Sequence, residues 1–271
     1  MTRSNRLFKR AVKSLLKSFE LEVAAYGTSD ELRSVARAQG DIEFLRTMCN
    51  PETPSSASRY FHQFLEYLPK SKSQFRQDLF VLSQLDFATE GFFVEFGATN
   101  GIELSNTHLL EKEFGWSGIL AEPARTWHGA LRANRNVDIE TRCVWKDSRS
   151  TLTFNEVENA GLSTISTYNN SDLHRRARRH GTEYTVDTIS LSDLLEKYNA
   201  PRMVDYLSID TEGSEFEILS NFDFAQFSFR VITCEHNFTP MRREILKLLT
   251  ENGYVRVFPE ISFNDDWYVA N

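Results

Sequence analysis

The sequence predicts an α/β protein, with a doubly wound, mostly parallel sheet, an antiparallel C-terminal edge and a helical N-terminal segment. Three observations predict it. From about residue 73 onward, short apolar runs of β type alternate with stretches of helical periodicity, the pattern of repeated strand–helix–strand units. Two of those runs end in an acid and a turn residue, Glu95-Phe96-Gly97 and Glu122-Pro123, as strands opening onto a crevice do. The 271 residues, 41% of them hydrophobic, can fill one large core and an appendage.

The elements follow in order. Leu7, Phe8, Ala11, Val12, Leu15, Leu16 and Phe19 recur on one helical face, with six cations mostly on the other. Further helical patterns cover Asp30–Gln39 and Asp41–Met48, so residues 1–50 read as a helical segment. The run from Asn50 to Ser58, rich in proline and serine, marks a linker, and residues 51–72 hold that linker and a short helix. The main domain then spans 73–271. It opens with a helix over Ser73–Leu85 and a strand over Gly91–Phe96. A helix over Leu104–Phe114 has Ser105 near its start, and is followed by a strand over Ser117–Glu122 and a helix over Ala124–Asn134. Val137–Trp145 and Leu152–Glu156 are β-like, and Asn159–Gly181 is a long polar connection without apolar periodicity. Thr185–Ile189 is a strand, and Ser190 caps a helix to Tyr198. Met203–Asp210 is a buried strand, Ser214–Ser220 a helix, Arg230–Cys234 a strand and Pro240–Asn252 a helix. Tyr254–Phe258 and Trp267–Val269 form a closing hairpin.

Charge is unevenly spread. Residues 1–17 hold six cations and no acid, so the rest of the chain carries a net −13 against −7 overall. An acidic body excludes general nucleic-acid binding, which needs a positive footprint. Two readings of the basic leader (residues 1–20) stand side by side: a helix packed on its own domain or a partner, and a peripheral helix on the anionic inner face of a membrane. No apolar run is long enough to span a bilayer, and no secretory signal is recognisable. Cys49, Cys143 and Cys234 are odd in number and widely spaced, which suits reduced thiols in a cytoplasmic protein.

The most informative stretch is Phe92–Gly101. It brings Glu95 to a strand end, and Gly97 and Gly101 then allow a sharp turn through Ala98, Thr99 and Asn100, with backbone N–H groups expected to face a ligand. An acid there repels phosphate and favours a cation. S-adenosylmethionine, with its ammonium and sulfonium, fits. Glu122 at the second strand end can accept both ribose hydroxyls, although dinucleotide folds share that feature. The spacing here, Glu-x-Gly-x-x-x-Gly, departs from the Gly-x-Gly-x-x-Gly that pyrophosphate requires. Trp145, at another strand end, is a candidate for stacking on adenine.

The ordered series Phe93–Gly101, Ala121-Glu122-Pro123, Ser163-Thr164-Ile165, Thr188–Leu195, Ser208–Glu215 and Thr233–Asn237 resembles the FkbM family of class I, S-adenosylmethionine-dependent methyltransferases. The resemblance runs from about Ser73 to the C-terminus. It implies a Rossmann-like fold and O-methylation of a sugar or glycan hydroxyl, or of a natural product. The cofactor residues it implies are Glu95, Gly97 to Gly101, Ser105, Glu122 and Pro123.

Methyl transfer to a hydroxyl requires a positioned acceptor and removal of a proton. Asp210, Glu212 and His236 follow buried strands and are candidates for a base, or for the ligands of a magnesium or manganese ion. Plainer roles compete: helix capping for the two acids, and a buried hydrogen-bonded ring for His236. Arg175, Arg176, Arg178 and Arg179, in the long polar connection, are either a solvated charge run or a clamp for an anionic glycan acceptor. Two other functions stay open, a non-catalytic adenosyl-binding interaction protein and a NAD-dependent oxidoreductase.

Overall fold

The computed structural model describes residues 29–50, 57–157, 162–169 and 173–271. The basic leader lies outside them. Met1–Arg46 and Thr47–Asn271 are separate compact units. The described part of the first is helical, with α1 (Ser29–Met48) one continuous helix where two were expected.

In the second unit a 3-10 turn at Ser58–Tyr60 leads into α2 (Phe61–Tyr67) and α3 (Gln77–Gln84). Next come β1 (Phe92–Phe96), α4 (His108–Phe114), β2 (Ser117–Ala121), α5 (His128–Asn134), β3 (Asp138–Glu140), β4 (Cys143–Trp145), β5 (Thr151–Glu156) and β6 (Thr164–Ile165). The chain continues through β7 (Thr182–Ser190), α6 (Leu191–Lys197), β8 (Met203–Ile209), α7 (Glu215–Ser220), β9 (Ser228–Glu235), α8 (Met241–Glu251), β10 (Tyr254–Val257) and β11 (Asp265–Ala270).

Seven strands form the main sheet in the order β10-β11-β9-β8-β1-β2-β3. β9, β8, β1, β2 and β3 pair in parallel, while β11 runs antiparallel to both β9 and β10. The closing hairpin therefore inserts its second strand between the first and the parallel body. β1 reads Phe-Phe-Val-Glu-Phe with four of five residues buried, as a central parallel strand covered on both faces requires. Leu194, Leu195, Ile218, Leu219, Ile245 and Leu249, from α6, α7 and α8, pack on Val94, Ile119, Leu207 and Ile232 of the sheet. Phe80 of α3 stacks on Trp267 of β11 with centroids 4.5 Å apart. The sequence order reverses direction at β1, with β2 and β3 to one side and β8 and β9 to the other. The crevice at their carboxyl ends is the topological switch point.

Three expectations are corrected. Val137–Trp145 is not one β segment: Glu140 accepts the N–H groups of Thr141 and Arg142 and turns the chain, so β3 joins the main sheet while β4 leaves it. β4, β7, β5 and β6 make a second four-stranded sheet with its own small core, in which Phe154, Ile165 and Val186 are buried. The long polar connection, read as a loop without apolar periodicity, contains β6 and 3-10 turns at Ser166–Tyr168 and Leu173–His180 among its described residues. The helix expected from Leu104 begins at His108, because Leu104 is left-handed (φ 59°) and residues 105–107 bind Glu95. Ser190 does cap α6, its hydroxyl accepting the Asp193 N–H at 3.1 Å.

Candidate active site

The turn after β1 is built by close approach. Gly97 has φ 73°, and a Cβ there would sit 2.1 Å from the carbonyl oxygen of Asp210. Only glycine lets the tips of β1 and β8 touch in this way. Gly101 has φ 80°, and a Cβ on it would meet Leu131 and Arg135 at 2.7 and 2.6 Å. The N–H groups of the turn do not face a ligand as expected. Those of Gly97 and Ala98 donate to Ala121 O, and that of Thr99 to the Glu122 carboxylate at 2.8 Å. Asn100 Oδ1 accepts the N–H groups of Ile102 and Glu103, closing the loop. The turn is welded to β2 and offers no nest for an anion.

Glu95 holds the other side of the loop. Its buried carboxylate accepts from Ser105 Oγ at 3.0 Å, from the Asn106 N–H at 2.7 Å and from Thr107 Oγ1. Arg135, its side chain fully buried, lies 3.8 Å from Glu95, pairs with Glu111 and donates to Gly101 O, Ser105 Oγ and Thr107 Oγ1. No sequence signal marked Arg135, because it lies beyond the α5 helix, far from the loop in the chain.

A cavity of about 230 Å³ lies at these strand ends. Of the expected cofactor residues, Glu95, Gly97, Thr99, Glu122 and Pro123 line it. Ala98, Asn100, Gly101 and Ser105 shape the loop from behind. Trp145 does not line it; the indole packs on Tyr168 at 6.2 Å, and Trp127, Cys143, Val144, Phe154 and Ile165 form the apolar wall instead. Gln74, Gln77 and Asp265 complete the far side. The lining contains Glu95, Glu103, Glu122, Asp210, Glu212 and Asp265 and, among the described residues, neither lysine nor arginine. Burial pushes Glu122 up to about 7, with the charges of Asp210 and Glu156 adding to it and the Ala124 and Thr99 N–H groups opposing it. Burial likewise pushes Asp265 to about 7, opposed by the Gln77 hydrogen bond.

Asp210, Glu212 and Glu235 converge, with ligand oxygens within 4.8 Å of one another. Burial, and then the charge of Asp210, hold Glu235 well above the carboxylate range, which favours its protonated form beside Asp210. Asp210, raised chiefly by burial, is pushed up to about 6. Glu212 Oε2 instead takes Arg178 at 2.7 Å and Asn237 Nδ2 at 3.2 Å. Glu215, not the two expected acids, caps the turn into α7, accepting the N–H groups of Thr211 and Gly213.

His236 is corrected. One ring nitrogen donates to Asp265 O at 3.1 Å and the other accepts the Phe238 N–H at 3.0 Å. Burial and the nearby Arg242 lower its pKa to about 4, so the ring is neutral with both nitrogens in use. It does not line the cavity, and its two backbone partners match the plainer reading of a buried, hydrogen-bonded ring. The useful residue of that segment is its neighbour, Glu235.

The arginine run is also corrected. Arg178 is buried and faces inward, donating to Leu162 O at 2.8 Å as well as to Glu212. Arg176 and Arg179 are exposed, and neither lines the cavity. The side chain of Arg175 lies outside the described residues.

The methyltransferase FkbM domain matches residues 95–256. No curated protein matches the chain. Among solved structures, a precorrin-6y C5,15-methyltransferase from Geobacter metallireducens is similar at 13% identity and a TM-score of 0.38, covering 71% of this chain and 85% of that one. The domain match spans more than half the chain, from the acid at the tip of β1 into the edge strand β10, and the protein therefore belongs to the FkbM methyltransferase family.

Proposed function

We propose that the protein is an S-adenosylmethionine-dependent O-methyltransferase acting on a saccharide hydroxyl. The observation that carries the cofactor reading is the cavity at the switch point, whose charged lining among the described residues is entirely carboxylate, with Glu122 tied to the turn after β1. The residues fit the group. Glu122 offers acceptor oxygens to a ribose diol. Asn106 Oδ1 and Trp127 Nε1, buried in the cavity wall, have no hydrogen-bond partner in the protein. Such groups ask for a ligand. Asn106 Oδ1 and Glu95 suit an ammonium, and Trp127 Nε1, beside Val144 and Cys143, suits a ring nitrogen of a base. The cofactor supplies an electrophilic methyl on sulfur.

The chain supplies the proton chemistry. Asp210 sits at the tip of β8 as a carboxylate whose affinity for a proton lies near neutrality, the condition for an effective general base. Protonated Glu235 orients it by donating to it. Asp210 would take the hydroxyl proton as the acceptor oxygen forms its bond to the methyl carbon. Glu212 and Arg178 hold the connection around β6 against this corner.

Magnesium or manganese is the second reading, on the convergence of Asp210, Glu212 and Glu235. It is the weaker one, because Arg178 already pairs with Glu212 in that cluster. Titration calorimetry with S-adenosylhomocysteine tests the cofactor reading, and mass spectrometry of an acceptor incubated with S-adenosylmethionine tests methyl transfer. Activity lost to a chelator and restored by magnesium or manganese would favour the metal.

A further inference from the structure

We propose that the end of the cavity bounded by Gln77 and Asp265 is the acceptor subsite, and that it takes an uncharged saccharide ring laid against Phe75 and Phe263, the stacked pair two residues from Gln77 and Asp265 in the chain. This deepens the methyltransferase reading and rests on it. The switch point gives the β1–β2 side to the cofactor, which leaves the part built by the start of α3, the tip of β8 and the start of β11. There Gln77 donates to Asp265 Oδ2 at 2.8 Å while its own Oε1 accepts the Phe75 N–H at 2.8 Å. An amide and a carboxyl held side by side can both give and accept hydrogen bonds, as adjacent hydroxyls require.

Phe75 and Phe263 stack with centroids 4.9 Å apart. Phe263 is 52% exposed and sits in left-handed backbone (φ 52°). A large aromatic side chain held open at such a conformational cost points to a binding role. Its ring matches the C–H face of a sugar. Leu104, 63% exposed and also left-handed, lines the same cavity.

Charge selects the class of acceptor. Six carboxyl groups line the cavity and, among the described residues, no lysine or arginine does; with Glu212 paired to Arg178 and Glu122 and Asp265 pushed up to about 7, the lining still keeps a net negative charge at neutral pH, which disfavours a phosphorylated or uronic-acid acceptor.

The test uses the full-length chain with saturating S-adenosylhomocysteine. A panel of neutral oligosaccharides is titrated beside matched members that carry a phosphate or a uronate. Neutral members are expected to bind, and their charged counterparts to bind about tenfold more weakly. Phe263→Ala is expected to weaken neutral binding about fivefold without changing affinity for S-adenosylhomocysteine, and Phe75→Ala to do the same. The subsite is overturned by charged members binding as tightly as neutral ones, by no neutral member binding, or by neither variant having an effect. Failure of S-adenosylhomocysteine to bind in the same titrations would instead remove the methyltransferase reading itself.

Discussion

The backbone N–H of Thr99 donates to the carboxylate of Glu122 at 2.8 Å, so the turn after β1 and the tip of β2 form one rigid cradle. The same carboxylate accepts the Ala124 N–H through its other oxygen, also at 2.8 Å. Glu122→Gln can keep only one of these bonds without turning an N–H donor against another. It is expected to weaken S-adenosylhomocysteine binding by about 10- to 100-fold, or roughly 1.4–2.8 kcal/mol. Calorimetry reads the affinity, and an unchanged thermal midpoint shows that the loss belongs to the site.

Gly97 and Gly115 make a matched pair for testing the close approach of β1 and β8. Both have positive φ, 73° and 67°, but a Cβ at Gly97 would overlap Asp210 O while one at Gly115 meets nothing within 4 Å. Gly115→Ala should cost about 1 kcal/mol for the left-handed backbone alone. Gly97→Ala adds a backbone collision and should cost about 3 kcal/mol or more, lowering the melting temperature by about 6–12 °C. Equal midpoints for the two variants would contradict the packing of β1 on β8.

Gly97 also marks what was legible in the sequence. Element types follow from periodicity, and Glu95, Gly97 and Glu122 follow from strand ends, because such signals are local. What the sequence hid is long-range. The wall formed by Trp127, Cys143 and Phe154 depends on the second sheet folding over the crevice, which no spacing encodes. His236 sits at a strand end like a functional residue, yet its ring is used by the backbone of Asp265 and Phe238, and only coordinates reveal that. Arg178 reads like its exposed neighbours Arg176 and Arg179 until its partner, Glu212, is seen.

Arg178 joins the segment around β6 to the site through one buried ion pair. Arg178→Ala leaves Glu212 buried and short of its cation, a change that costs about 3–5 kcal/mol. The segment between Leu162 and His180 should then be cleaved faster by protease, with Arg178→Lys intermediate. Charge reversal at Arg176 or Arg179 should leave both protease sensitivity and acceptor KM unchanged, since those side chains are exposed. A rise in KM from the exposed pair would restore the clamp.

Asp210 and His236 are separated by pH. Asp210 is active as the carboxylate and its pKa is raised to about 6, so the base is fully formed above that value and is lost as pH falls through it. kcat/KM should drop about tenfold per pH unit on the acid side, with an apparent pKa near 6 that belongs to the Asp210–Glu235 pair. The same raised pKa means that the folded state binds the proton more tightly than the unfolded chain. The ionised form therefore lowers stability as pH rises from the unfolded value of 3.8 toward 6. Asp210→Asn should accordingly lose about 10²- to 10⁴-fold in kcat while S-adenosylhomocysteine affinity is retained and neutral-pH stability holds or rises. His236→Gln should behave in the opposite way, losing about 1–3 kcal/mol of stability from its two backbone bonds while the acid limb stays in place. A profile whose acid limb disappears with His236 rather than with Asp210 would return the base to the imidazole.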